Sequence, residues 1–280
     1  MLNQSNLLVE VPEALLDTGL TFSDGKPVSA ITLKALLFIF FSFDGEYRRE
    51  ITIHITDLCG VLAHQYRGSS SNHVHHAHRI ISHLESITGQ PLKFRRYRGK
   101  SMHRMVCLES LDADVHKDLL AIKFSPEFIR YWKNGTYNYF QFVDLKYLFR
   151  LHTLSSVILY LFFTVHRFHS GTFTPGQLAK LLTGDSTYPY KLIKKDMLLP
   201  AIKLICAKTD FHVDFTEERS DNKIQKVHFS ICNSPAEDEI KHYCAFHGIS
   251  TDEYDPEQYN TDWQSEYNYD FISQEYTSNA

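Results

Sequence analysis

No apolar run in this 280-residue sequence approaches the roughly 20 residues that cross a bilayer. Two such runs stand out, Leu36–Phe43 and Val157–Val165. Both read as buried helices, and no membrane partner is expected. The opening segment, MLNQSNLLVEVPEALL, has no basic residue ahead of its apolar ones and so lacks the pattern of a secretory signal. Cysteines are few. Cys59, Cys107, Cys206, Cys232 and Cys244 are scattered, with no CxxC pair, which fits buried thiols in a reducing, cytoplasmic compartment. No serine, cysteine or paired-carboxylate constellation marks a catalytic centre, so the expectation is a protein that is not an enzyme and needs no cofactor or metal.

Positive charge is scarce overall, at a formal net charge of −4, but it is unevenly spread. Residues 236–280 hold eleven acids and one lysine, a net of −10, which leaves 28 Lys+Arg against 22 Asp+Glu in the rest of the chain. A basic body carrying an acidic tail is compatible with a polyanionic partner, whereas a uniformly acidic protein is not. The tail is also rich in aromatics, including Tyr254, Trp263 and Phe271. It reads as disordered, or as a docking segment for a host protein or for this protein's own basic face.

The chain is long enough for two domains, and 43% of it is hydrophobic, which supplies two cores. Residues 1–30 show little periodicity and are expected to form an arm. A helix is predicted at about 32–43, a strand at 51–55, a helix from Thr56, and a longer one at 72–88 with the stripe Ala77, Ile80, Ile81, Leu84 and Ile87. Gly89 and Pro91 end it. A hairpin around Gly99 follows, then an apolar segment to about Trp132. The second half runs through a long helix at 153–169, a short helix capped by Thr174 with Pro175 at its first position, the helix beginning TYPYKLIKKDMLLPAIKLI, and a hairpin turning at Ser220–Asn222. The order is the same twice: short helix, loop, longer helix, hairpin. Thr56 to Leu92 spans 36 residues, and Thr174 to Phe211 spans 37. The predicted fold is therefore α+β, two tandem winged-helix domains arising from a duplicated plan. The expected domains are 31–134 and 135–235, with the acidic tail after them.

In a winged helix the second helix enters the major groove and the hairpin lies over the backbone. At 100° per residue, Thr187, Tyr188, Lys191, Lys194 and Lys195 share an arc of about 120°, which beyond Lys195 turns apolar at Leu198 and Ile202. That division suits a helix whose first turns face DNA while its end sits in a core. LSSVILYLFFTVHRF, TPGQLAKLL, YPYKLIKKDMLLPAIKLICAKTDFHVDF and KIQKVHFSI occur in an order and spacing that resemble the iteron-binding plasmid replication initiators, the Rep proteins with two winged-helix domains. Leu199, Pro200, Ala201, Ile202, Thr209 and Asp210 carry the match, which covers roughly residues 120–232. The resemblance implies a non-enzymatic, sequence-specific DNA-binding initiator. Such a protein binds repeated sites at a plasmid origin, recruits the host initiator and helicase, and represses its own gene as a dimer in equilibrium with monomer. It implies dimerisation and auxiliary DNA contact through the first winged domain and principal DNA binding through the second. The chain departs from the family in using lysines where arginines are common, and in its acidic tail.

Candidate DNA contacts are accordingly Tyr188, Tyr190, Lys191, Lys194 and Lys195 on the second-half helix, with Arg219 and Lys223 at its wing. Lys93, Arg95, Arg96, Arg98, Lys100 and Arg104 form the densest basic stretch, with no acid among them, and suit phosphate contact from the first wing. Its RGKS is not a phosphate loop, because the Walker spacing needs glycine where Phe94 stands. In NHVHHAHR, His75, His78 and Arg79 fall on the outer face of the helix. His73-Val74-His75 imitates the metal pair of rolling-circle nicking enzymes, but on a helix those rings point about 160° apart. The alternatives are a winged-helix repressor without initiator activity and, behind it, a metal-dependent nicking enzyme.

Overall fold

The computed structural model describes residues 7–12, 20–43, 48–62, 73–95, 102–133, 140–166, 171–221, 223–232, 244 and 250. Its first half is built around helix α1, Ala30–Phe41, capped by Ser29, whose Oγ accepts from Thr32 N at 3.1 Å. Every side chain from Thr32 to Phe40 is buried. The apolar run of the sequence is thus a central core helix, hydrophobic all round.

Strands β1 (Leu8–Pro12) and β2 (Thr21–Phe22) precede α1. Strand β3 (Glu50–His54) and helices α2 (Ile55–Leu62) and α3 (His73–Glu85) follow it. Helix α3 buries the expected stripe, Ala77, Ile80, Ile81 and Leu84, with Ile87 just beyond its end. Gly89, at φ 69°, then turns the chain, its N–H donating to Leu108 O at 2.8 Å. Strands β4 (Pro91–Arg95) and β5 (Met102–Val106) form the expected hairpin, and β2 adds a third strand in the order β2-β4-β5.

The segment up to Trp132 holds more than its apolar content announces. Strands β6 (Leu108–Asp114) and β7 (Leu119–Phe124) make a second hairpin, and β3 pairs with β7. Helix α4 (Pro126–Lys133) then closes over the end of α1. An aromatic cluster joins them: Phe40 lies 4.5 Å from Trp132, and Phe43 lies 4.9 Å from Phe124, centroid to centroid.

The expected N-terminal arm requires correction. Leu8–Pro12 pairs antiparallel with strand β8 (Phe140–Asp144), from Leu8 opposite Asp144 to Pro12 opposite Phe140. Leu7, Val9 and Val11 are buried. Their alternation is the period of two that a half-buried strand shows, and it is too short to stand out without its partner.

In the second half, Asp144 caps the short helix α5 (Leu145–Leu148), and α6 (Leu154–His166) supplies a second apolar core helix. Strand β9 (Gly171–Phe173) leads into α7 (Pro175–Thr183). The capping residue Thr174 bonds reciprocally with Gln177 and Pro175 opens the helix, so the local code is realised as read. A long helix occupies residues 190–208, followed by strands β10 (His212–Ser220) and β11 (Lys223–Cys232). The sheet order is β10-β11-β9, the arrangement of a winged helix. The chain is a mixed helix-and-sheet protein with tandem winged-helix units. Their duplication holds in the order of elements and not in the pairing: β9 joins its own wing, whereas β3, at the corresponding place, joins β7.

Besides the β1–β8 pairing, contacts from α1 and from the turn at Gly25 tie the halves together. Lys34 of α1 is 0% exposed and donates to the carbonyls of Phe149, at 3.4 Å, and Leu151, between α5 and α6. Burial pushes its pKa down to about 7. The turn at Gly25 also meets the end of α7 so closely that a Cβ on Gly184 would lie 2.6 Å from the Gly25 carbonyl oxygen. Cys59, Cys107 and Cys244 are buried and Cys206 is partly so; burial raises the thiol pKa of Cys59 to about 11. The side chain of Cys232 and, apart from Cys244 and Ser250, the acidic tail lie outside the described residues, as do the expectations placed on them. No helix among the described residues is long and apolar enough to cross a membrane.

Candidate nucleic-acid interface

The turn between α7 and the long helix is held by Asp185. Its Oδ1 accepts from Thr187 N at 2.8 Å and from Thr187 Oγ1 at 2.7 Å. These bonds keep the carboxyl below its ordinary range. Thr187 and Tyr188 therefore belong to the turn, and the helix begins at Tyr190 with Pro189 as its N-cap. This departs from the expected arc, which counted both as helical.

The arc changes again inside the helix. Residues 190–192 and 199–208 are α-helical, but Ile193–Leu198 form a π-helical segment. Ile193 and Leu198 are both 0% exposed. They are five positions apart, so a regular α-helix would turn one of them away from the core. One inserted residue restores the register, and Ala201, Ile202 and Ile205 then continue the buried face with ordinary spacing. Lys191, Lys195 and Leu199, each four residues apart, are exposed, and so are Leu192, Asp196 and Pro200 beside them.

Lys194 leaves that exposed face for the wing. Its Nζ lies 2.6 Å from Glu217 Oε1 on β10 and 5.6 Å from the centroid of the Phe215 ring. Tyr190 donates its hydroxyl to the same Oε1 at 2.8 Å, and Arg219 Nη2 reaches Oε2 at 2.9 Å. Three expected DNA contacts thus converge on one carboxylate that is only 10% exposed. Desolvation works to raise the pKa of Glu217, but the bonds from Lys194, Arg219 and Tyr190 outweigh it and bring the value down to about 2. Tyr190 is shifted upward by burial and by its bond to Glu217. The sequence reading missed Glu217. A signal was present in HVDFTEE: alternation puts Val213, Phe215 and Glu217 on one face of β10, and Val213 is buried. Lys223 is exposed at the tip of this wing.

In the first half, Lys93 stands opposite Arg104 across the β4–β5 hairpin. Directly opposed residues share a face, and two like charges there repel; a row of phosphates relieves that repulsion. Arg104 is exposed and Lys93 half-buried. Arg95 lies on β4 opposite Met102. Its side chain, together with Arg96, Arg98 and Lys100, lies outside the described residues. On α3, His78 and Arg79 are exposed, while the side chain of His75 is again outside them. His73 and His75 sit on that helix and not on a strand, which is the wrong element for a paired-histidine metal site. Among the described residues no group of three or more His, Cys, Asp or Glu is placed to hold a metal ion.

Residues 177–231, from α7 through the wing, match the family described as Initiator Rep protein, WH2. No curated protein matches the chain by sequence. Among solved structures, the Pi initiator protein in complex with iteron DNA superposes with a TM-score of 0.62 at 16% identity, over 82% of this chain and 98% of that one. The second and third domains of RctB superpose with a TM-score of 0.45 at 13% identity, over 72% of this chain and 80% of that one. The first of these likenesses establishes the shared fold across both halves, and the family match falls on the second winged-helix unit.

Proposed function

We propose, from a second winged-helix unit of the initiator Rep type, that this chain is a sequence-specific DNA-binding initiator of plasmid replication that acts at repeated sites in an origin. The observation that carries the reading is the exposed lysine row Lys191–Lys195 on the long helix, beside a wing anchored to that helix through Glu217. A helix clamped in the core along one side, with cations on the other, can lie in a major groove while its wing follows the backbone. The likeness to an initiator solved on iteron DNA supports the same use of the fold.

The first winged unit serves dimerisation and adds phosphate contacts through Lys93, Arg104 and the basic stretch between them, together with His75, His78 and Arg79. The second unit makes the principal contacts. Dimer and monomer are in equilibrium, the dimer represses the protein's own gene, and the DNA-bound form recruits the host initiator and helicase. The protein works in the bacterial cytoplasm.

The test starts from directly repeated motifs of about 20 base pairs, close to one helical turn per half-site plus spacing, beside the coding sequence. Footprinting with the full chain should protect each repeat, and a supercoiled plasmid bearing them should keep both strands intact in Mg²⁺ or Mn²⁺. A strand break would assign a nicking enzyme. Protection and repression without support of plasmid replication in cells would assign a repressor.

A further inference from the structure

Among the described residues, the exposed large hydrophobic side chains are Leu192, at 43%, and Leu199, at 46%. Both are on the long helix, on its solvent side. An apolar side chain there keeps its surface in water unless a partner covers it. Leu192 and Asp196 are four residues apart and adjoin Lys191 and Lys195. The lysine row suits phosphate. The neighbouring row does not: a leucine offers phosphate nothing, and a carboxylate repels it. A row of that chemistry beside a cationic one fits the edges of bases at the floor of a major groove. There thymine presents a methyl group and cytosine an amino donor.

We infer, on the reading of this helix as the DNA-contacting element, that Leu192 and Asp196 form its base-reading row, with Leu192 packed on a thymine methyl and Asp196 accepting from a base amino group. Lys191 and Lys195 hold the adjacent backbone. Glu217 keeps Lys194 out of the groove, so the reading face is narrower and less cationic than the sequence implies. Specificity at these positions comes from an apolar contact and an acceptor, which the lysines of this helix do not supply.

The experiment enriches duplexes from a randomised pool with the full wild-type chain, then measures the enriched duplex with each thymine replaced in turn by deoxyuridine, which removes only the methyl. One replacement should weaken wild-type binding about fourfold, the equivalent of one buried methyl-sized group. Leu192→Ala should weaken the parent duplex by at least as much and lose sensitivity to that replacement, while Leu192→Met retains it. Asp196→Asn should relax selection at a neighbouring position. None of these variants should reduce the dependence of affinity on salt, because no phosphate contact is removed. Equal deoxyuridine sensitivity in wild type and Leu192→Ala overturns the inference while leaving DNA binding by the helix standing. Failure of the wild type to enrich any duplex overturns both.

Discussion

Lys194 Nζ lies 2.6 Å from Glu217 Oε1 and so joins the long helix of the second winged unit to its own wing. The same carboxylate takes the Tyr190 hydroxyl and the Arg219 guanidinium. One acid therefore sets how three basic or polar side chains face solvent. The two lysines that the sequence places beside Lys194 have no part in this clamp, and the three should behave differently when removed.

Replacing Lys191 or Lys195 with alanine should weaken duplex binding and lower the salt slope by roughly one unit each, while leaving thermal stability unchanged, since both are exposed. Lys194→Ala should instead destabilise the fold and change the salt slope little. Arg104→Ala in the first wing should weaken all duplexes alike, again with a slope lower by about one. Titrations of one cognate and one unrelated duplex at two salt concentrations separate these patterns.

Glu217→Gln should destabilise the protein at pH 7 by an amount that shrinks in acid. The carboxyl has an ordinary pKa of 4.5 in the unfolded chain and about 2 in the folded one. Its contribution is complete above 4.5 and is lost as the pH falls toward 2. The full window corresponds to at most about 3 kcal/mol. Urea denaturation at pH 7 and pH 3 should show the gap between wild type and variant closing in acid. A gap independent of pH would mean that Glu217 acts by packing alone.

Lys34 has the opposite pH signature. Its pKa is about 7 in the folded state and 10.5 in the unfolded one. Between those values the unfolded chain binds a proton that the folded chain does not, so stability rises with pH across the window. At pH 7 and below, the folded protein carries the full cost of burying an ammonium, offset in part by the carbonyls of Phe149 and Leu151. Wild type should gain on Lys34→Met by an amount on the order of a few kcal/mol between pH 7 and 10.5. Denaturation curves for both proteins at pH 7 and 9.5 check this, and parallel behaviour would contradict a buried titrating amine.

Gly184→Ala should lower the melting temperature more than Gly25→Ala. Both glycines have positive φ, 80° and 89°, a conformation that costs an alanine roughly 1 kcal/mol. Only at Gly184 does the new Cβ also strike backbone, the Gly25 carbonyl oxygen at 2.6 Å, whereas at Gly25 the nearest atom is 3.8 Å away. Equal melting temperatures for the two variants would mean that the Gly25 turn and the end of α7 do not meet in solution.

Several features were legible without coordinates because they depend on neighbours in the chain. The cap at Thr174 with Pro175 after it lies within two adjacent residues, and the buried stripe of α3 repeats every three or four. The hairpins at Gly99 and at Ser220–Asn222 announce themselves by turn residues between β-rich runs. From these came the order helix, turn, helix, hairpin, present twice, while the quoted motifs of the second half carried the resemblance to initiator Rep proteins. The sequence reading went wrong where a long-range partner decides. Leu8–Pro12 is a strand only because β8 is beside it. The helix that carries the lysine arc shifts register through a π-helical segment only because Ile193 and Leu198 must both reach the core.

The amino-acid sequence by itself determined the mixed α and β class, the tandem plan and the position of the lysines on the second long helix, because periodicity and capping act within a few residues. Tertiary structure alone decided which of those lysines face solvent. Glu217 is 23 positions from Lys194, and no local rule joins them. Packing brings β10 against the helix, desolvates the carboxylate and leaves it in need of cations. Lys194 and Arg219 answer that need, and Lys191 and Lys195 remain on the outer face.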